Sequence, residues 1–126
     1  MQHFDRSITV TINITAQQAD LTIPQYVTLS NLCITNATVW ASGTSSNGKT
    51  RANQTVINDC RISVQTKGNQ KIQDLPLAYL LPNTNGLPAS FILDKADIQE
   101  AVITINTSET ITDQVIEITF FYIDEH

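Results

Sequence analysis

From Gln114 to Ile123 the chain reads QVIEITFFYI, and its residues sort by parity. Ile116, Ile118, Phe120 and Tyr122 share one side, while Glu117, Thr119 and Phe121 share the other, the period of two that marks a strand with one buried face. Burying a single Ile or Phe is worth about 1.5–3 kcal/mol, and a slip of one residue would exchange the whole apolar set for Glu117 and Thr119. The register of this strand is therefore strongly specified. Residues 101–106 (AVITIN) read as a second strand, and the polar connector 107–113 is short enough to return the chain antiparallel, which predicts a hairpin with a longer loop.

The same pattern opens the chain. In residues 7–15, Ile8, Val10, Ile12 and Ile14 face inward and Thr9, Thr11, Asn13 and Thr15 outward, a half-buried strand. Residues 16–20 form a polar connector with room for a helical turn, and residues 21–24 are extended because Pro24 bars helical angles at Ile23. Residues 26–29 and 32–40 read as one long strand broken by a bulge, or as two. Residues 41–53 have the least apolar content and predict a surface loop suited to mobility, with Asn47-Gly48 tightening a hairpin at its tip. From residue 54 to 64, Val56, Cys60, Ile62 and Val64 keep one parity, which predicts a further strand. Residues 67–70 read as a turn, residues 75–82 as a short or edge strand between prolines, and residues 90–93 as another short strand. Residues 94–100 predict a helical turn capped by Asp94.

A length of 126 residues suits one domain. Charged residues make up 15% and the net charge is -5, so solubility rests on Ser, Thr, Asn and Gln, and phosphate-backbone binding by clustered cations is excluded. Only Lys49 and Arg51 stand close together among the basic residues. Cys33 and Cys60 are too sparse for a disulfide framework or a zinc site, and two buried thiols are expected in preference to one disulfide. The polar start predicts no signal peptide, and no apolar run reaches membrane-spanning length. The Asn-x-Ser/Thr matches at Asn13, Asn36, Asn53 and Asn106 follow from the abundance of Asn and Thr, and without a secretion signal they have no reader.

Candidate chemistry is thin. His3 and His126 stand at the extreme ends, whereas a general base needs a fixed partner in a cleft, so no catalytic residue is assigned. Asp94, Asp97 and Glu100, with Asp124 and Glu125, lack the spacing of a calcium loop, so no metal or cofactor is assigned either. Trp40, with Tyr26 or Tyr79 assisting, suits a sugar-stacking platform, although a lone Trp is more often a core or interface residue. Phe121 shares the outward parity of Glu117 and Thr119, so it is expected to be covered by another chain or by an N-terminal residue such as Phe4. Phe121, Phe4 and Trp40 are the candidate interface.

About eight antiparallel strands must close into a barrel or pack as two sheets. Long alternating first and last strands suit an all-β, two-sheet sandwich of the single jelly-roll type with the terminal strands side by side, which also protects two sheet edges. An immunoglobulin-like sandwich is the alternative, lacking here its disulfide and Trp spacing. Over its whole length this strand pattern resembles the single jelly-roll capsid proteins of icosahedral viruses, in particular the vertex (penton) proteins of tailless, membrane-containing bacteriophages. The resemblance implies a structural virion protein made in the host cytoplasm, assembled as a homopentamer against a major capsid protein and carrying a spike protein. It implies no enzyme, and the absence of a basic arm removes the expectation of direct nucleic acid contact. A carbohydrate- or receptor-binding module is the second functional expectation, resting on Trp40 beside the loop 41–53.

Overall fold

The computed structural model describes residues 6–24, 26–67, 71–94 and 97–123. In chain order they form β1 (Ser7–Asn13), β2 (Gln18–Thr22), α1 (Tyr26–Leu29), β3 (Cys33–Trp40), β4 (Thr50–Arg51), α2 (Gln54–Asn58), β5 (Cys60–Thr66) and β6 (Lys71–Pro76). A single 3-10 turn (Leu77–Leu80), β7 (Ala89–Asp94), β8 (Ile98–Asn106) and β9 (Gln114–Ile123) complete the set.

One sheet has the order β1-β9-β3-β7, with β4 added in parallel to the start of β9, and the other has the order β2-β8-β5-β6. The pairing has a simple logic. First strand pairs with last (β1 with β9), then β2 with β8, β3 with β7, and β5 with β6, all antiparallel. This is one long two-chain ribbon, and rolling it up brings β9 against β3 and β8 against β5. The result is the jelly-roll strand order, a two-sheet sandwich. In an immunoglobulin-like sandwich the first and last strands belong to different sheets, whereas β1 lies beside β9 from Ser7 opposite Phe121 to Asn13 opposite Val115.

The core lies between the sheets. Val10, Ile12, Ile34, Ala37, Val39, Phe91, Leu93, Ile116, Ile118 and Phe120 enter it from one side, and Leu21, Ile62, Val64, Ala101, Ile103 and Ile105 from the other. The parity read for residues 7–14 and 114–123 is the observed one, with Phe120 packed against Phe91 at a centroid distance of 5.7 Å and Phe121 outside the core cluster. Cys33 and Cys60 are both buried free thiols, as expected.

Several local expectations are corrected. The runs 101–106 and 114–123 are strands but not a hairpin: β8 and β9 belong to opposite sheets, and the connector between them crosses the end of the sandwich. Both carry one strongly apolar face, and these faces meet across the core, which buries more than lying edge to edge would. Residues 26–29 are a helical turn, with the Ser30 amide donating to the Tyr26 carbonyl at 3.1 Å and Leu29 plugging the core. Residues 54–58 are also helical: Asn53 accepts from the Val56 amide at 3.0 Å as an N-cap, and the turn buries the consecutive Val56 and Ile57. The strand begins only at Cys60.

Between the prolines, β6 ends at Pro76 and the 3-10 turn follows, which stacks Leu77 over Leu80 in the core. Residues 18–20 open β2 rather than a helical turn, and of the turn expected at 94–100, Asp94 ends β7 and residues 98–100 open β8. Residues 95 and 96 of that expected turn lie outside the described residues.

Candidate functional site

The outer face of the β1-β9-β3-β7 sheet is divided into two halves. Toward the end of the sandwich where β3 finishes, residues 41–51 fold back over it as an arm. The arm is a small hairpin: the Ser45 amide donates to the Lys49 carbonyl at 2.7 Å, and the Gly48 amide to the Ser45 carbonyl at 3.0 Å. Gly48 sits at φ +85, a backbone region that a residue without Cβ enters without strain, so the Asn47-Gly48 expectation is met. The arm is anchored by β4 along β9, and by the carboxylate of Glu117.

Glu117 faces away from the core and yet is 1% exposed. Its Oε2 accepts from the Ser46 hydroxyl at 2.7 Å, the Ser46 amide at 3.0 Å and the Thr11 hydroxyl at 3.2 Å. Its Oε1 accepts from Arg51 Nε and Nη2, both at 2.8 Å. Burial alone would raise the Glu117 pKa; the Ser46 amide and hydroxyl and the Arg51 guanidinium outweigh it and hold the carboxyl below its ordinary 4.5. One strand position further, Trp40 donates its indole N–H to Thr119 Oγ1 at 2.9 Å, and Thr119 shares a second hydrogen bond with Thr9 at the same distance. The Arg51 guanidinium lies 5.7 Å from the Trp40 ring centroid. Trp40 and Arg51 lie over a polar layer of Thr9, Thr11, Thr38, Glu117 and Thr119, of which Thr38, Glu117 and Thr119 are buried.

The other half of the face carries Phe121 and Ile123 of β9 and Ile92 of β7. Phe121 lies half-buried between Ser7 of β1 and Asn36 of β3, and Cys33 lies opposite Ile123. Ile92 on β7 is 57% exposed and Ile123 on β9 is 41% exposed. Phe121 and Ile123 share the outward parity of β9, and Ile92 stands two strands away with β3 between.

The sequence candidates are scattered over this frame. Trp40 ends β3 and is 38% exposed, so it is neither a core residue nor a free platform. Tyr26 precedes the opposite end of β3, packed against the core, and Tyr79 is exposed on the 3-10 turn, so neither assists Trp40. Phe4, His3, His126, Asp124 and Glu125 lie outside the described residues. Asp97 pairs with Lys67 at 3.3 Å, Glu100 points outward from β8, and no group of three metal-ligating side chains occurs among the described residues. No helix among them is long and apolar enough to cross a membrane. Comparison with protein families, characterised proteins and solved structures found no match.

Proposed function

We propose that this chain is a structural assembly subunit, a virion vertex (penton) protein that associates with copies of itself into a pentamer and with a major capsid protein. The observation that carries the reading is the exposure of two apolar side chains, Ile92 and Ile123, on the outer face of a sheet whose inner face already fills the core, with half-buried Phe121 on the same strand as Ile123. Exposed apolar side chains on one outer sheet face suit a protein contact. Their place on the sheet that joins the two terminal strands suits a subunit packed side by side in a closed ring. The reading assigns no catalytic role, cofactor or metal, and it places the mature protein in the virion.

Native mass spectrometry of the full chain, with electron microscopy of particles, tests it. A closed oligomer is expected, and a strict monomer that enters no particle would rule the reading out. Phe121→Ser is expected to reduce assembly more than it lowers the melting temperature of the isolated domain, because an interface anchor loses more than about 1 kcal/mol on truncation while an outward ring contributes little to the core. The reverse pattern, unchanged assembly with a large fall in melting temperature, would place Phe121 in an ordinary folding role.

A further inference from the structure

The end of the sandwich that carries the β1–β2 and β8–β9 connections is notched by a cleft of about 830 Å³. Its walls are Gln17 and Gln18 on one side and Asn106 and Ser108 on the other, with Asp59 beside them. A second cleft of about 450 Å³ shares Ala16 and Gln17 and adds the apolar Ile14 and Ile111. Both volumes lie in the range of small-ligand sites.

The walls are held in place by hydrogen bonds that occupy Gln17, Thr107 and one oxygen of Asp59 and leave other lining groups unused. The Thr107 amide donates to the Gln17 carbonyl at 2.9 Å, and Gln17 Nε2 to the Glu109 carbonyl at 2.8 Å, so the two connections are locked together. The Asn106 amide donates to the Asp59 carbonyl at 3.1 Å, and the Thr107 hydroxyl to Asp59 Oδ2 at 2.7 Å, which ties in the end of α2. After these bonds, Asp59 Oδ1, the carboxamides of Gln18 and Asn106 and the Ser108 hydroxyl have no partner among the described residues.

We propose that this double cleft binds a neutral saccharide. Carboxamides and a carboxylate supply donors and acceptors for ring hydroxyls, each of which both gives and receives a hydrogen bond. Ala16, Ile14 and Ile111 offer an apolar patch for the C–H face of the ring. The electrostatics select against anionic sugars: Asp59 is in the cleft, and neither cleft is lined by Lys or Arg among the described residues. The inference is independent of the assembly reading, since it concerns a different surface.

A glycan array carrying neutral and sialylated oligosaccharides, probed with the full chain, is the first test. The strongest neutral binder is then titrated into ¹⁵N-labelled wild type, Asn106→Ala and the double variant Gln18→Ala/Asn106→Ala. Both side chains are exposed, so the variants are expected to keep the wild-type melting temperature. Binding is expected to prefer neutral glycans, to shift the amide signals of Gln17, Gln18, Asn106 and Ser108, and to weaken about tenfold for each side chain removed. Absence of neutral binding at millimolar concentration, a preference for sialylated glycans, or affinity unchanged in the double variant would each overturn the proposal. Oligomeric state, measured on the same samples, reports on assembly separately.

Discussion

Removing the Glu117 carboxylate tests whether the arm of residues 41–51 is held by electrostatics or by backbone pairing. Glu117→Gln keeps the size of the side chain but takes away the charge, leaves Arg51 without its counter-ion, and sets an NH₂ group where donors already converge. Breaking a buried ion pair by removing one partner costs about 3–5 kcal/mol. The Arg51 side chain is 23% exposed against 2% for Glu117, so the guanidinium can recover part of its hydration, and about 2–3 kcal/mol is the reasoned loss. For a domain of this size that corresponds to a fall of roughly 6–15 °C in melting temperature. Urea unfolding of the wild type, Glu117→Gln, Arg51→Met and the double variant gives the coupling energy directly, and a value of about 1 kcal/mol or more is expected for groups in direct contact.

The pH dependence supplies an independent check, and its sign is fixed. Folding lowers the Glu117 pKa below its ordinary 4.5, so the unfolded chain takes up the proton first as the solution is acidified. The stabilisation is therefore complete above the unfolded value and is lost as pH falls from there through the folded value. The groups facing the carboxylate are Arg51 and Ser46 from the arm, Thr11 from β1 and Trp40 from β3, and of these only Arg51 is charged, remaining so throughout. Wild type is expected to lose stability below pH 4.5 more steeply than Glu117→Gln, with faster hydrogen exchange at the Ser45 and Arg51 amides of the arm. Parallel stability curves for the two proteins between pH 3 and 7, or a loss below 0.5 kcal/mol in Glu117→Gln, would refute the reasoning and leave β4 as what holds the arm.

Cys60 is expected to resist alkylation in the folded protein: burial, with the neighbouring Asp59 charge adding to it, pushes its thiol to about 12, and mass spectrometry should find it modified only at the rate of global unfolding. Asn53→Ala should destabilise the domain by about 1 kcal/mol in urea unfolding through loss of the cap on α2, and Asn53→Asp should retain most of that contribution.

The strands were legible because each carries one apolar face with a period of two. The first and last strands show it so clearly that their pairing followed from the need to protect their edges, and β1 beside β9 is what the chain does. The helical turns at 26–29 and 54–58 were hidden by the same logic. Val56, Cys60, Ile62 and Val64 share a parity, and a run of that kind reads as one strand unless Asn53 is weighed as a cap. In the connections a few residues have to plug the ends of the barrel-like core, and a tertiary need of that kind overrides a weak local preference. The choice between a hairpin and a crossover for β8 and β9 was not local at all. A polar connector of seven residues serves either, and the sheets each strand joins are set by β1, β3, β2 and β5, all far away in sequence.

The polar network was half visible in advance. Glu117 is the one charged residue within the most apolar run of the chain, and Arg51 is one of the only two neighbouring cations, so opposite charges were present with no stated partners. Parity assigned Glu117 to the outside, which is correct, and outside was equated with solvent, which is not. A loop poor in apolar residues cannot cover an apolar face well, but it can cover a face of Thr hydroxyls and one carboxylate, because each side satisfies the hydrogen bonds of the other. Sequence composition thus carried the clue in an unexpected form: the low apolar content of residues 41–53 suits a polar surface beneath them, and the outward Thr9 and Thr11 of β1, Thr38 of β3 and Thr119 of β9 are that surface. A loop and a strand face that are both polar, one with a cation and the other with an anion, are candidates for each other before either is assigned to water.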